Sequence, residues 1–242
     1  MNAIIDIGNS RAKLALFDGD EIVAEYVAQG SDLRPLLVCL SKRPVEAAIL
    51  SSVVDLPDEI EEQLQAINVP LLHFTSSTPI PIRNAYHTPE TLGADRLAAA
   101  VGGWQRCNGK PLLIIDAGSC ITFDMVTSDG VYVGGNISPG LHARLRAIDD
   151  YFPRLPLVSD EGDLPELGYD TETAIRAGVV QGMRHEIEGY IRHFASIHKG
   201  LHVILTGGDA LNLTIPNAAT LVVDQHIVER GLNAILNFNT TA

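Results

Sequence analysis

Two short stretches carry the residues best suited to chemistry. In the first, Ile4-Ile5-Asp6-Ile7-Gly8-Asn9-Ser10 runs on to Lys13; in the second, Ile114-Ile115-Asp116-Ala117-Gly118-Ser119-Cys120 runs on through Thr122 to Asp124. Each enters on a double isoleucine, bends at an Asp-x-Gly-polar elbow and leaves on a second apolar run. A glycine at the bend lets the backbone approach a ligand closely, and the small polar side chains beside it add hydrogen-bond donors to those of the backbone. Such an elbow suits phosphate oxygens, with Asp6 able to orient a hydrated divalent cation and Lys13 able to supply a point charge. Taken alone, the first stretch fits a plain hairpin equally well. The recurrence shifts the balance, because Asp6 and Asp116 stand 110 residues apart, about one domain.

A third candidate is Leu92-Gly93-Ala94-Asp95-Arg96-Leu97-Ala98-Ala99-Ala100, whose alanines and leucines predict a helix with Asp95 and Arg96 in its first turn. The helix dipole favours the acid there and not the base. The pair reads either as a helix-start acid with a solvated arginine beside it or as part of a site. The long irregular stretch before it, Thr75 to Thr91 with Pro79, Pro81 and Pro89, keeps the site reading open. Farther on, Val203 to Thr206 predicts a buried strand that ends in Gly207-Gly208-Asp209, where a flat ring can lie against backbone.

The elements that must position these groups follow from period and punctuation. Asp18-Gly19-Asp20 is a turn signal, so Ile4 to Val27 predicts a three-stranded meander. Ser31-Asp32 is placed to cap a helix through Leu40, with strands at Val45 to Leu50 and Val69 to Phe74 and a helix from Pro57 through Gln65 between them. The second elbow opens its own meander, Pro111 through Asn136. Gly134-Gly135-Asn136-Ile137-Ser138-Pro139-Gly140 leads into the next helix, with Pro139 at its start. Tyr151 to Gly168, with three prolines and an acidic cluster, reads as a loop that orders when substrate binds. Thr171 is read as the cap of a long helix whose stripe Val180, Met183, Ile187, Tyr190, Ile191, Phe194 and Ile197 keeps helical spacing; such a stripe serves the core or a dimer seam. Ile227 to Phe238 predicts a closing helix.

Composition narrows the classes of function. The 17 Lys and Arg against 30 Asp and Glu give a formal charge of −13, which removes the electrostatic basis for nucleic-acid binding. Cys39, Cys107 and Cys120 are odd in number and far apart, so neither a disulfide framework nor a zinc cluster is indicated; Cys120 reads as a buried, inert thiol in preference to a reactive one. The start lacks a basic, cleavable leader and no run is long enough to span a bilayer, so the expectation is a cytoplasmic protein with no membrane partner.

Together these residues resemble the type III pantothenate kinases, of the superfamily that includes acetate and sugar kinases, heat-shock proteins and actin. Asp6 to Lys13 is similar to the family's first phosphate motif, Gly93 to Arg96 to its pantothenate motif, and Asp116 to Asp124 to its second phosphate motif. Gly134 to Gly140 and Thr206 to Asp209 match the glycine-rich and adenosine motifs. Ser119 and Cys120 depart from the usual Thr and Ala, and alter packing more than chemistry. The resemblance implies an α/β fold of two related ribonuclease H-like (actin-like ATPase) domains, residues 1–111 and 112–242, with mixed sheets flanked by helices and a cleft between them. It implies ATP-dependent phosphorylation of pantothenate, with Mg²⁺ and a monovalent cation (K⁺ or NH₄⁺), by a homodimer. Gly8, Asn9, Ser10, Lys13 and Ser119 are then expected on the phosphates, Gly207 and Gly208 under the adenine, Asp6 on hydrated Mg²⁺ and Asp116 on the monovalent cation. Asp95 is expected as the general base, and Tyr86, Gly93, Ala94, Arg96 and Thr171 at the pantothenate. A sugar or acetate kinase of the same superfamily would share the elbows but not Gly93 to Arg96.

Overall fold

The run Ala3-Ile4-Ile5 has no polar side chain to offer water, and the strand it forms is central in its sheet, with these three residues at most 2% exposed. The computed structural model describes every residue except 9–10, 30–33, 41–42, 53, 55–61, 63, 65–68, 108, 210–218 and 241–242. In chain order the elements are β1 (Asn2–Ile7), β2 (Arg11–Asp18), β3 (Glu21–Gln29), α1 (Arg34–Leu40), β4 (Ala47–Ser52), β5 (Leu71–His73), β6 (Arg83–Asn84) and α2 (Ala94–Arg106). They continue as β7 (Leu112–Ala117), β8 (Cys120–Val126), β9 (Val131–Pro139), α3 (Leu141–Tyr151), α4 (Thr171–Ile197), β10 (Leu201–Thr206), β11 (Ala219–Val223) and α5 (Ile227–Thr240). Contacts divide the chain into two units. One comprises Met1–Arg106, Gly130–Tyr132 and His226–Ala242, and the other Cys107–Asp129 and Val133–Gln225, so α5 is grouped with the N-terminal residues.

In the first unit the strands run β3-β2-β1-β4-β5, with β1 antiparallel to β2 and parallel to β4. Ile5, Ile7, Leu14 and Leu50 pack with Leu36 and Leu40 of α1 on one face. On α5, Asn233 and Asn237 accept hydrogen bonds from the Asn2 side chain at 2.8 and 2.7 Å, and α5 also packs along α2. Val131 and Tyr132 pair with Arg83 and Asn84 of β6, which lies in the stretch expected to be irregular throughout; Pro89–Thr91 forms a 3₁₀ turn there as well.

The second unit repeats the order, β9-β8-β7-β10-β11, with β7 antiparallel to β8 and parallel to β10. Both meanders read from sequence are therefore present. Helix α4 lays Met183, Ile187 and Ile191, all fully buried, against Leu113, Ile115, Phe123 and Val203. Tyr190 packs on Phe123 with ring centroids 4.1 Å apart, whereas Ile197, at the last turn, is 59% exposed. The cap of α4 is Asp170, not Thr171: its carboxylate accepts from the Thr173 N–H at 2.8 Å in a capping box, and Thr171 is the first helical residue. Pro139 ends β9 instead of starting α3, whose N-cap is Gly140. Residues 152–170 contain no helix or strand, and side-chain contacts hold this loop at several points. Arg176 donates to the carbonyls of Ser159 and Asp163 at 2.8 and 3.0 Å, and Val158 is buried. Strand β11 escaped the sequence reading. The proposed caps Ser31 and Asp32, and most of the helix read over 57–65, lie outside the described residues. Among the described residues no helix is long and apolar enough to cross a membrane.

Candidate active site

Asp6 closes the central strand of the first unit, and register decides what surrounds it. Lys13 on β2 and Ser51 on β4 are its two cross-strand neighbours. Lys13 Nζ donates to Glu229 Oε1 at 2.7 Å, and Glu229, in the first turn of α5, is only 1% exposed. Burial raises the Asp6 carboxyl most strongly, and Glu229 and Asp95 add to that. Lys13 opposes them, and the net result is a pKa of about 7. Burial alone would lower the Lys13 ammonium, but the charge and hydrogen bond of Glu229, with the charges of Asp6 and Glu25, raise it. The structure thus brings Asp6, Lys13 and Asp95 into one electrostatic neighbourhood and adds Glu229 and Ser51, which the sequence reading did not single out. Glu229 sits where any helix-start acid would, so only packing reveals it.

Asp95 lies in the first turn of α2, and its Oδ1 accepts from the Arg96 N–H at 2.8 Å. A Cβ on Gly93 would stand 2.5 Å from that oxygen, which explains why the residue two before the acid is glycine. Ala94 is the first helical residue. Arg96 is buried, not a solvated neighbour, because it lies on the packed side of α2. Tyr86 rests against Tyr132, ring centroids 6.2 Å apart, and its N–H donates to the Asn84 side chain at 3.0 Å. Gly8 donates its N–H to the Arg11 carbonyl at 2.9 Å, closing the elbow, whereas Asn9 and Ser10 lie outside the described residues.

In the second unit Asp116 occupies the same place at the end of β7, with Thr122 on β8 and Thr206 on β10 as its neighbours. Three loops meet there. Gly140 donates its N–H to the Ser119 carbonyl at 3.2 Å, and Asp209 donates its N–H to the Ala117 carbonyl at 2.9 Å. Gly207 has φ +95°, and a Cβ there would collide with the Ala117 backbone, so the first glycine of the pair is required by fold as much as by any ligand. Partial burial raises the Asp209 carboxyl, while His142 and the Leu141 N–H at the start of α3 pull it down. Gly208 and Ser119 are exposed. Cys120 is also exposed, contrary to expectation, because it begins β8 at the turn, with Ile121 taking the inward position. Thr171 lies elsewhere in this unit, lining an apolar cavity of about 570 Å³ with Ile148, Leu155, Ile175 and Val179.

Known proteins supply the frame for this chemistry. A family model described as type III pantothenate kinase matches residues 3–193. Type III pantothenate kinase from Bacteroides fragilis is 47% identical over 239 residues, covering 99% of this chain and 98% of its own. That from Phocaeicola vulgatus is 43% identical, with 99% of each chain covered. Among solved structures, a conserved Baf family protein from Campylobacter jejuni superposes with a TM-score of 0.62 at 21% identity, covering 99% of this chain and 100% of its own. A ROK family protein from Streptococcus pneumoniae does so at 0.51 and 11% identity, covering 100% and 99%, and both likenesses bear on the fold. With the family model spanning most of the sequence and such relatives matching it end to end, the chain belongs to the type III pantothenate kinase family.

Proposed function

We propose that this chain transfers the γ-phosphoryl group of ATP to the primary hydroxyl of pantothenate, giving 4′-phosphopantothenate, the first step toward coenzyme A. The observation that carries the reading is the part-buried Asp6–Lys13–Glu229 cluster, held beside the helix-start acid Asp95 within a chain of this family. Phosphoryl transfer asks a protein for positioning and charge neutralisation more than for covalent chemistry. Lys13, whose ammonium Glu229 holds charged, meets phosphate oxygens together with Gly8, Asn9, Ser10 and Ser119. Gly207 and Gly208 lie under the adenine. Asp95 accepts the proton of the attacking hydroxyl, and Arg96, Gly93, Ala94, Tyr86 and Thr171 hold pantothenate.

The donor set around Asp6 fits Mg²⁺. Its ligating atoms are carboxylate oxygens, the hard type that ion prefers, and the raised Asp6 carboxyl marks a site short of positive charge. Mg²⁺ held through water on Asp6 would neutralise charge on the phosphates. At Asp116, the hydroxyls of Thr122 and Thr206 make an all-oxygen set suited to K⁺ or NH₄⁺. The working form is taken to be a cytoplasmic homodimer, for which the exposed Tyr151, Phe152, Leu167 and Tyr169 offer apolar surface. ADP release with pantothenate, set beside release with sugars, acetate and glycerol, tests the reading. Turnover with pantothenate alone is expected, and turnover only with another acceptor overturns it.

A further inference from the structure

Beside Lys13 stands a group of ligating side chains that shares Glu229 with it. Glu25 on β3, His226 just before α5 and Glu229 within it each offer one ligand atom, and all three atoms lie within 4.8 Å of one another. His226 Nδ1 is 3.6 Å from Glu25 Oε1. His226 and Glu229 are three residues apart at a helix start, so they share one face, and Glu25 reaches them from the strand. An independent observation points to a ligand. Glu229 is 1% exposed and Lys13 occupies its Oε1, yet its buried Oε2 has no hydrogen-bond partner among the described residues. A buried carboxylate oxygen without a donor calls for a positive charge on that side.

We propose that Glu25, His226 and Glu229 form a site for a divalent transition-metal ion, Zn²⁺ being the closest fit. One imidazole nitrogen with two carboxylate oxygens suits Zn²⁺ and its neighbours in the first row and is a poor set for Mg²⁺ or Ca²⁺. Metal–ligand bonds of about 2.0–2.2 Å require the three atoms to draw together by roughly 1 Å. Glu25, exposed on the strand, has room to supply that movement and leaves the outer side open to water. Glu229 then bridges: Oε1 holds the Lys13 ammonium while Oε2 binds the ion. The ion fixes the carboxylate that positions Lys13.

The test uses full-length protein made without a polyhistidine tag, stripped with chelator and dialysed against Zn²⁺. Wild type should retain one Zn²⁺ per chain by atomic emission, and Co²⁺ in its place should show a visible d–d band. Glu25→Gln and His226→Asn should each weaken Zn²⁺ binding by roughly 10-fold or more, while Asp6→Asn keeps it. Absence of binding by wild type overturns the site. So does binding that survives His226→Asn and Glu25→Gln but is lost in Asp6→Asn, since the ion would then lie on the Asp6 side.

Discussion

Asp6 and Asp116 occupy equivalent points of one repeated topology, and they differ in what register places beside them. Each lies near the end of a strand with an antiparallel neighbour on one side and a parallel neighbour on the other. Around Asp6 those neighbours are Lys13 and Ser51; around Asp116 they are Thr122 and Thr206. The first elbow therefore carries its own cation, and the acids Glu229 and Asp95 gather around it. The second offers hydroxyl oxygens from both flanking strands. The repeat determines where a carboxylate stands, and one residue on each flanking strand determines what it can do.

If acid–base work belongs to the first unit, the largest effect should come from Asp95→Asn. A drop in kcat of roughly 10²-fold or more is expected, with the thermal midpoint unchanged, because the side chain keeps its size and its place in the first turn. Full activity would take the base role away from Asp95 and with it the chemical asymmetry of the two elbows.

Next in size is the loss of charge around Lys13. Glu229→Gln preserves volume but leaves the ammonium with a neutral partner, so kcat/KM for ATP should fall about 10-fold, and unfolding free energy by roughly 1–3 kcal/mol in urea titrations. The matching change in the other unit, Thr206→Val, removes only a hydroxyl and should cost about 1 kcal/mol. Equal losses would mean that charge does not distinguish the elbows.

Glu229 also marks the limit of what the sequence reveals. The double isoleucines, the D-G turns and the helical stripe on α4 made both meanders and the long helix legible, because strand and helix periods are local. Asp6, Lys13 and Asp95 were legible for the same reason, each sitting at an element end with a recognisable spacing. Glu229 was not, since an acid one turn into an amphipathic helix looks like an ordinary dipole partner until α5 is packed onto a strand more than 200 residues away in the chain. Arg96 stayed open between two readings for the same reason, since whether a charge next to alanines is buried is decided by the neighbours of α2. Cys120 erred in the opposite direction. Strand alternation says which residues share a face, but not that the first residue after a turn is left in water.

The monovalent cation offers a smaller and more direct contest between the elbows. Turnover in K⁺ or NH₄⁺ should exceed that in Na⁺ by several-fold if Asp116 depends on an ion from solution. Thr122→Lys places an ammonium opposite Asp116 as Lys13 stands opposite Asp6, and it should narrow that difference. A variant as dependent on K⁺ as wild type would show that an ammonium at the register neighbour does not substitute for the ion.

A further effect concerns stability and centres on Asp6. Its carboxyl is raised from 3.8 to about 7 in the folded chain, first by burial and then by Glu229. Between those values the folded state binds more protons than the unfolded one, so stability falls as pH rises from about 4 to 7 and levels off above. The contribution is on the order of a few kcal/mol, visible as a thermal midpoint that declines across that window in Mg²⁺-free buffer. Asp6→Asn has no proton to lose and should flatten the decline. A slope that persists in Asp6→Asn would assign the titration to another group. A slope that vanishes only when Mg²⁺ is added to wild type would show the ion displacing the proton that burial keeps on Asp6.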